Sequence, residues 1–170
     1  MNEPVSAIAV RISLPPGLQR VRDRLDRAAQ LGVPPHVTLV YPWLPAAALT
    51  RKAREVLSQV ARETQPFDVS FVAARRWPGV VYLEPEPMWP FRALMDRLTI
   101  QYPEFPPYGG AIAEVIPHLT LVENGDAPLD DIAAAADHGL PFERLVRSME
   151  VLAEDADGRW RTFWRLPFRR

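Results

Sequence analysis

The chain has 170 residues, of which 48% are hydrophobic and 24% are charged, and its formal net charge is −1. A chain of this length can bury a core unaided, and the lack of cysteine excludes a disulfide framework and a thiolate metal site. The near-zero net charge excludes a protein-wide basic surface for long duplex nucleic acid.

Apolar residues alternate with polar ones in some segments and recur every three to four positions in others, which distinguishes strands from helices. In chain order, the predicted elements are a strand at 7–16, a helix at 17–29, a strand at 36–43, a helix at 46–63, a hairpin at 67–77 and 80–87, a helix at 89–101, a strand at 118–123, a helix at 130–136 and a hairpin at 145–153 and 159–168. Pro78-Gly79 and Asp157-Gly158 turn the two hairpins. This mixture predicts an α+β fold with two sheets or half-sheets.

One short motif occurs twice, as PPHVTLVYP at 34–42 and as PHLTLV at 117–122, although the chain has only three histidines. Because side chains alternate between the faces of a strand, His36 and Thr38 share one face of their strand. His118 and Thr120 share one face of theirs, and the apolar residues between them fill the opposite faces. One copy would indicate ordinary surface residues, whereas two copies indicate a function.

Each copy of the motif has a helix before it and a helix after it, which indicates a weak internal duplication with a boundary near residues 79–90. We therefore predict a single domain over residues 1–170, made of two intertwined halves related by a pseudo-twofold axis. With that symmetry the two motifs face each other across a central groove, on opposite sides of a ligand.

Two opposed imidazoles suit acid–base catalysis, because one accepts a proton from water while the other gives a proton to a leaving oxygen. Two hydroxyls can donate hydrogen bonds to an anion held between them. A phosphodiester fits these groups, and a cyclic phosphate fits them especially well. The motifs thus predict hydrolysis with a bell-shaped pH profile near the ordinary histidine pKa of about 6.5.

The paired motifs resemble those of the two-histidine phosphoesterase superfamily, which includes 2′-5′ RNA ligases and RNA 2′,3′-cyclic phosphodiesterases. The segments YPW, RRWP, VVYLEP and PPYGG are similar to a bacterial branch of this family. The resemblance implies a bilobal fold, in which each lobe is a small sheet with outer helices and the active site lies in the central groove. It also implies that His36, Thr38, His118 and Thr120 are the catalytic residues.

Three further residues are candidates for substrate binding. Tyr108 lies in a glycine-containing loop before the second motif, where it can stack on a base, reach a phosphate or pack over the groove edge. Tyr82 alternates away from its apolar neighbours and is expected to face the groove, and Arg76 supplies a cation near phosphate or lies exposed. His138, just before Gly139, is expected to end a helix without a catalytic role.

The sequence has no spacing of ligands typical of a metal site and no glycine-rich phosphate loop, so we predict neither a metal nor a cofactor. The leading hypothesis is a metal-independent phosphodiesterase that opens 2′,3′-cyclic phosphates of RNA ends or nucleotides. The alternatives are a 2′-5′ oligonucleotide phosphodiesterase or ATP-independent 2′-5′ RNA ligase, an ADP-ribose cyclic phosphate hydrolase, and a non-catalytic nucleotide- or RNA-binding module.

The expected partners are therefore RNA ends or small nucleotides, and neither long duplex nucleic acid nor a membrane. The sequence has no apolar run of 18 residues and lacks the basic and apolar segments of a signal peptide. We accordingly expect a cytoplasmic protein, and we expect it to be a monomer.

Overall fold

Eight strands form one antiparallel sheet in the computed structural model, which describes residues 3–170. They are β1 (Ser6–Arg11), β2 (His36–Val40), β3 (Phe67–Trp77), β4 (Val80–Glu86), β5 (Leu119–Glu123), β6 (Phe142–Val146), β7 (Ser148–Glu154) and β8 (Trp160–Pro167). Their order across the sheet is β6-β3-β4-β5-β2-β1-β7-β8. The strands of the repeated motif, β2 and β5, are therefore neighbours at the centre.

The helices are α1 (Pro16–Leu25), α2 (Arg27–Gln30), α3 (Arg51–Arg62), α4 (Trp89–Gln101) and α5 (Leu129–Ala136). The predicted mixture of helices and strands is confirmed, but the helix predicted at 17–29 is two helices. Asp26 interrupts it in an extended conformation, with φ −84° and ψ 123°, and its carboxylate accepts a hydrogen bond from the Ala29 amide at the start of α2. Within residues 3–170, no helix is long and apolar enough to cross a membrane.

The two small sheets predicted from the sequence are halves of a single sheet that meet between β2 and β5. The order β6-β3-β4-β5 lies on one side of this junction and β2-β1-β7-β8 on the other. Among the described residues, Val37 and Leu119 are the one pair in register at the junction. The sheet is thus continuous, while the pseudo-twofold relation between its halves stays a prediction.

The sheet curls until its two ends come close together. β6 lies at one edge and β7 is next to the strand at the other edge, yet only Arg147 separates them in sequence. The single strand predicted at 145–153 is therefore wrong, because β6 pairs with β3 whereas β7 pairs with β1 and β8. The rings of Phe67 and Phe168 stack where the ends meet, with their centroids 6.1 Å apart.

Helices cover one face of the sheet, and the core lies there. Alternate residues of the central strands, such as Val37 on β2 and Leu119 on β5, are fully buried in one cluster with helix residues such as Leu57. Burying such a side chain contributes about 1.5–3 kcal/mol, so this face determines how β2 and β5 are oriented. The residues that alternate with the core residues point to the opposite side, which we call the open face.

Candidate active site

Both copies of the repeated motif present their polar residues on the open face. His36 is the first residue of β2, and His118 immediately precedes β5. Burial alternates along each motif as predicted from the sequence: Val37 and Leu119 are completely buried, whereas the histidine and threonine of each copy are half-buried. The polar residues of both motifs are thus accessible from one side of the sheet.

The register of the two central strands brings the two motifs into one patch. Continuing the antiparallel pairing of Val37 with Leu119 by one residue sets Thr120 opposite His36, and Thr38 opposite His118. Each histidine therefore lies across from the threonine of the other motif, and the two imidazoles lie diagonally.

Backbone carbonyls hold both imidazoles in the same way. The Nδ1 atom of His36 lies 2.7 Å from the Pro34 carbonyl oxygen, and that of His118 lies 2.8 Å from the Ile116 carbonyl oxygen. A carbonyl only accepts hydrogen bonds, so each Nδ1 carries the proton and each neutral ring keeps its lone pair on Nε2. In His36 that Nε2 lies 3.0 Å from the Thr38 hydroxyl, which donates to it.

Burial lowers the pKa of both histidines. It is the main cause that brings the pKa of His36 to about 4, and the nearby Arg22 and His118 lower it further. Burial also lowers the pKa of His118, while its carbonyl contact and the Glu123 carboxylate act in the opposite direction. Both imidazoles are therefore mainly neutral at pH 7. The pH profile of kcat/KM, which reports the free protein, should accordingly lie at lower pH than the value of about 6.5 expected from the sequence.

A buried ion pair ties the two motif strands together. Arg22 and Asp26, which are 2% and 0% exposed, lie 3.2 Å apart. Arg22 also donates to the Val33 carbonyl at 2.8 Å, and Val33 is three residues before the first motif histidine. Asp26 accepts from the Glu123 amide at 2.9 Å, and Glu123 is three residues after the second motif threonine. Because removing one partner of such a pair costs about 3–5 kcal/mol, this contact fixes the relative position of the motifs.

A cavity of about 420 Å³ opens beside the second motif, and we call it the His118 cavity. Its lining includes Trp77, Tyr108, Ile112, Ile116, His118 and Thr120. The Trp77 ring meets the His118 ring edge-on, with centroids 4.7 Å apart at 80°. An aromatic and aliphatic wall next to an imidazole can hold a nucleobase with its phosphate at the motifs.

Tyr108 connects the His118 cavity with the first motif. Its backbone lies in the left-handed region at φ 53° and ψ 33°, which is uncommon for a residue other than glycine and costs on the order of 1–3 kcal/mol. Burial raises the pKa of Tyr108, and the nearby Thr38 hydroxyl partly offsets the shift. The strained loop thus holds a protonated hydroxyl against one motif and beside the other.

The other predicted site residues are placed differently. Tyr82 lies next to His118 but is only 5% exposed, and its ring stacks under the Trp77 ring with their centroids 3.8 Å apart. Tyr82 therefore supports the cavity wall. Arg76 points away from the His118 cavity and forms an ion pair with Asp130. His138 is exposed in a short 3₁₀ turn after α5.

Trp77 is a site residue that was not predicted from the sequence. The hairpin at Pro78-Gly79 was predicted, and its register pairs Trp77 with Val80 and Arg75 with Tyr82. Trp77 therefore lies on the same face as Tyr82, which was expected to face the groove. The predicted hairpin was thus sufficient to identify Trp77 as a residue of the groove. Within the described residues, no three histidine, aspartate or glutamate side chains are grouped as metal ligands would be.

The curled antiparallel sheet with its helix-covered outer face defines a class of α+β protein with known structures. LigT of E. coli, complexed with phosphate, is similar over 99% of this chain and 100% of its own, with 19% identity and a TM-score of 0.59. The protein TT0787 of Thermus thermophilus is similar over 97% of this chain and 98% of its own, with 18% identity and a TM-score of 0.62. At such identities the likeness establishes the fold alone.

The family model of the 2′-5′ RNA ligase superfamily matches residues 6–158, and the chain belongs to this superfamily. The resemblance noted from the paired motifs is thereby confirmed. A solved structure described as a phosphoesterase is also similar, over 99% of this chain and 100% of its own, with 18% identity and a TM-score of 0.59. Comparison with curated protein sequences finds no match.

Proposed function

We propose that this protein is a metal-independent phosphodiesterase that hydrolyses 2′,3′-cyclic phosphates of RNA ends or nucleotides. One observation carries the proposal: a backbone carbonyl holds each Nδ1 of the paired histidines, so the lone pair of each neutral ring lies on Nε2, which in His36 accepts from the Thr38 hydroxyl of the same motif. Membership of the 2′-5′ RNA ligase superfamily supports it. LigT, which shares the fold, has been solved with 3′-AMP and with ATP.

In the proposed reaction, His36 is the base and His118 is the acid. The pKa of about 4 keeps His36 neutral, so its Nε2 takes a proton from water as the water oxygen bonds to phosphorus. The bond from phosphorus to one ribose oxygen breaks, and protonated His118 gives that oxygen its proton. Hydroxyls of Thr120 and Tyr108 donate hydrogen bonds to the non-bridging oxygens, and the Thr38 hydroxyl, which donates to His36 Nε2 in the free protein, turns to the phosphate when the water takes its place at Nε2.

We propose that the nucleobase occupies the His118 cavity and stacks on Trp77. Stacking of a base on an aromatic side chain is worth about 1–3 kcal/mol. Trp77→Ala should therefore lower kcat/KM for 2′,3′-cyclic AMP roughly 5- to 150-fold, mainly through KM, in steady-state kinetics.

Trp89→Ala is the matched control, because Trp89 is 67% exposed and lines a different cavity together with Arg97. It should leave kcat/KM within error of the wild type. Unchanged kinetics in Trp77→Ala would exclude the base from this cavity. A fall in kcat with KM unchanged would instead show that the role of Trp77 is to orient the His118 ring.

Activity on 2′,3′-cyclic AMP should survive EDTA, because the proposed chemistry uses only imidazoles and hydroxyls. Turnover is measured before and after chelation, and again after adding back Mg²⁺, Mn²⁺ or Zn²⁺. Loss of turnover in EDTA that a metal ion restores would contradict the mechanism. No turnover in any condition, with the ligand still bound, would favour the non-catalytic nucleotide-binding module.

A substrate panel separates the remaining alternatives. Cyclic nucleotides, 2′-5′-linked dinucleotides and ADP-ribose cyclic phosphate are compared by kcat/KM under the same conditions, and ligation of RNA ends is assayed without ATP. The proposal requires the 2′,3′-cyclic phosphates to have the highest kcat/KM. A higher value for a 2′-5′ linkage would support the oligonucleotide alternative for the same site.

A further inference from the structure

Arg11 lies next to the first motif on the open face. In the β1–β2 ladder it is the register partner of His36, so their Cα atoms are about 4.5–5.5 Å apart and their side chains share a face. Arg11 is exposed. It takes part in none of the ion pairs found among residues 3–170.

Arg11 opens onto a polar cavity of about 450 Å³, which we call the Arg11 cavity. Its side-chain lining includes Arg11, Ser13, Gln19, Arg22, Asp23 and Thr162. The strand order puts β1 and β8 on one side of the motifs, and β3 and β4, which carry Trp77 and Val80, on the other. The Arg11 cavity and the His118 cavity therefore flank the paired motifs on opposite sides.

The other cations around the Arg11 cavity are already paired, Arg22 with Asp26 at 3.2 Å and Arg165 with Glu150 at 2.9 Å. Asp23, which also lines the cavity, accepts a hydrogen bond at 2.7 Å from the neutral side-chain amide of Gln19. Among the described residues that line the cavity, Arg11 is thus the cation left without a partner. A guanidinium offers five donors in a planar fork that matches phosphate oxygens, and the Ser13 hydroxyl adds another donor.

We infer that the Arg11 cavity binds a second phosphate group of the substrate, beyond the cyclic phosphate held at the motifs. This inference rests on the proposed function. The substrate then extends from a base in the His118 cavity, past the paired histidines, to a phosphate on Arg11. Two sources supply such a group: a 5′-phosphate on the same nucleotide, or the phosphodiester of a preceding nucleotide. The preferred substrates accordingly carry at least two phosphates.

The kinetic test compares three substrates: 2′,3′-cyclic AMP, its 5′-phosphorylated form, and an ApA dinucleotide that ends in a 2′,3′-cyclic phosphate. In the wild type, the second phosphate should raise kcat/KM about tenfold or more, as charge-assisted hydrogen bonds do. In Arg11→Ala, the ratio of two-phosphate to one-phosphate substrates should fall to near one. The substrate with the larger ratio identifies the source of the phosphate.

Arg161→Ala is the control, because Arg161 is an exposed arginine on β8 that lines neither cavity. It should keep the wild-type ratio. A ratio near one in the wild type, or a ratio that survives in Arg11→Ala, would overturn the inference while leaving the proposed function intact.

A binding measurement tests the inference without turnover. Calorimetry compares adenosine 3′,5′-bisphosphate with 3′-AMP in the wild type and in Arg11→Ala. The bisphosphate should bind about tenfold more tightly to the wild type and equally to the variant. If no cyclic phosphate is hydrolysed, the proposed function fails, and this comparison still decides whether the second-phosphate site exists. Equal affinities in the wild type would refute it.

Discussion

His36→Ala and His118→Ala are each expected to lower kcat for a 2′,3′-cyclic nucleotide about 100-fold or more, because each removes a proton-transfer group worth at least that factor. Carbonyl contacts at 2.7 Å and 2.8 Å already orient the two rings, so little of their contribution depends on rearrangement. Steady-state kinetics on purified variants measures the effect, and far-ultraviolet circular dichroism verifies that each variant is folded.

His138→Ala provides the matched control, since His138 is an exposed histidine in a short 3₁₀ turn and lines neither the His118 cavity nor the Arg11 cavity. Its kcat should equal that of the wild type. The double variant of the motif histidines should lose less than the product of the two single losses, because groups that act as a unit are not additive. Near-normal turnover in either single variant would rule out shared acid–base catalysis.

The pH dependence of kcat/KM is expected to peak on the acidic side of neutrality. The reactive form of the free protein has His36 neutral and His118 protonated. Activity is lost as the pH falls through about 4, where His36 takes a proton, and as it rises through the pKa of His118, which burial lowers. Above that pKa, kcat/KM should fall about tenfold per pH unit, which makes the loss at about pH 8 one of the largest effects expected.

Glu123→Gln tests which limb of the pH profile belongs to His118. The Glu123 carboxylate raises the pKa of His118 and is not among the charges that act on His36. Its removal should therefore move the alkaline limb to lower pH and leave the acidic limb in place, so the acidic limb serves as an internal control. Movement of the acidic limb alone would assign the lower of the two pKa values to His118.

The limbs of kcat should lie at higher pH than those of kcat/KM. A bound phosphate places negative charge beside the imidazoles, which favours their protonated forms and raises their pKa values in the complex. Full pH profiles of both constants measure the difference. A low kcat/KM at neutral pH is thus compatible with a high kcat at the same pH, because kcat reports the protonation of the complex.

The strand β2 was predicted from its local pattern, whereas the break between the C-terminal strands β6 and β7 was not. The start of β2 and the facing of His36 follow from alternation over a few residues, a local pattern that the chain carries in itself, although β2 ends at Val40 and not at residue 43 as predicted. The break at Arg147 has no such local signature, since 145–153 alternates well enough to read as one strand. The closure of the curled sheet decides that β6 and β7 pair with different partners.

Local patterns were sufficient to find the motif residues, their faces and the hairpin that carries Trp77, because alternation and turn chemistry act between neighbouring residues. The folded chain was needed to show that Val37 pairs with Leu119, that Arg11 lies opposite His36, and that Arg76 points away. The pKa of about 4 for His36 likewise depends on burial by distant segments. Registers, burial and electrostatics arise from contacts between residues far apart in the chain, which no local pattern encodes.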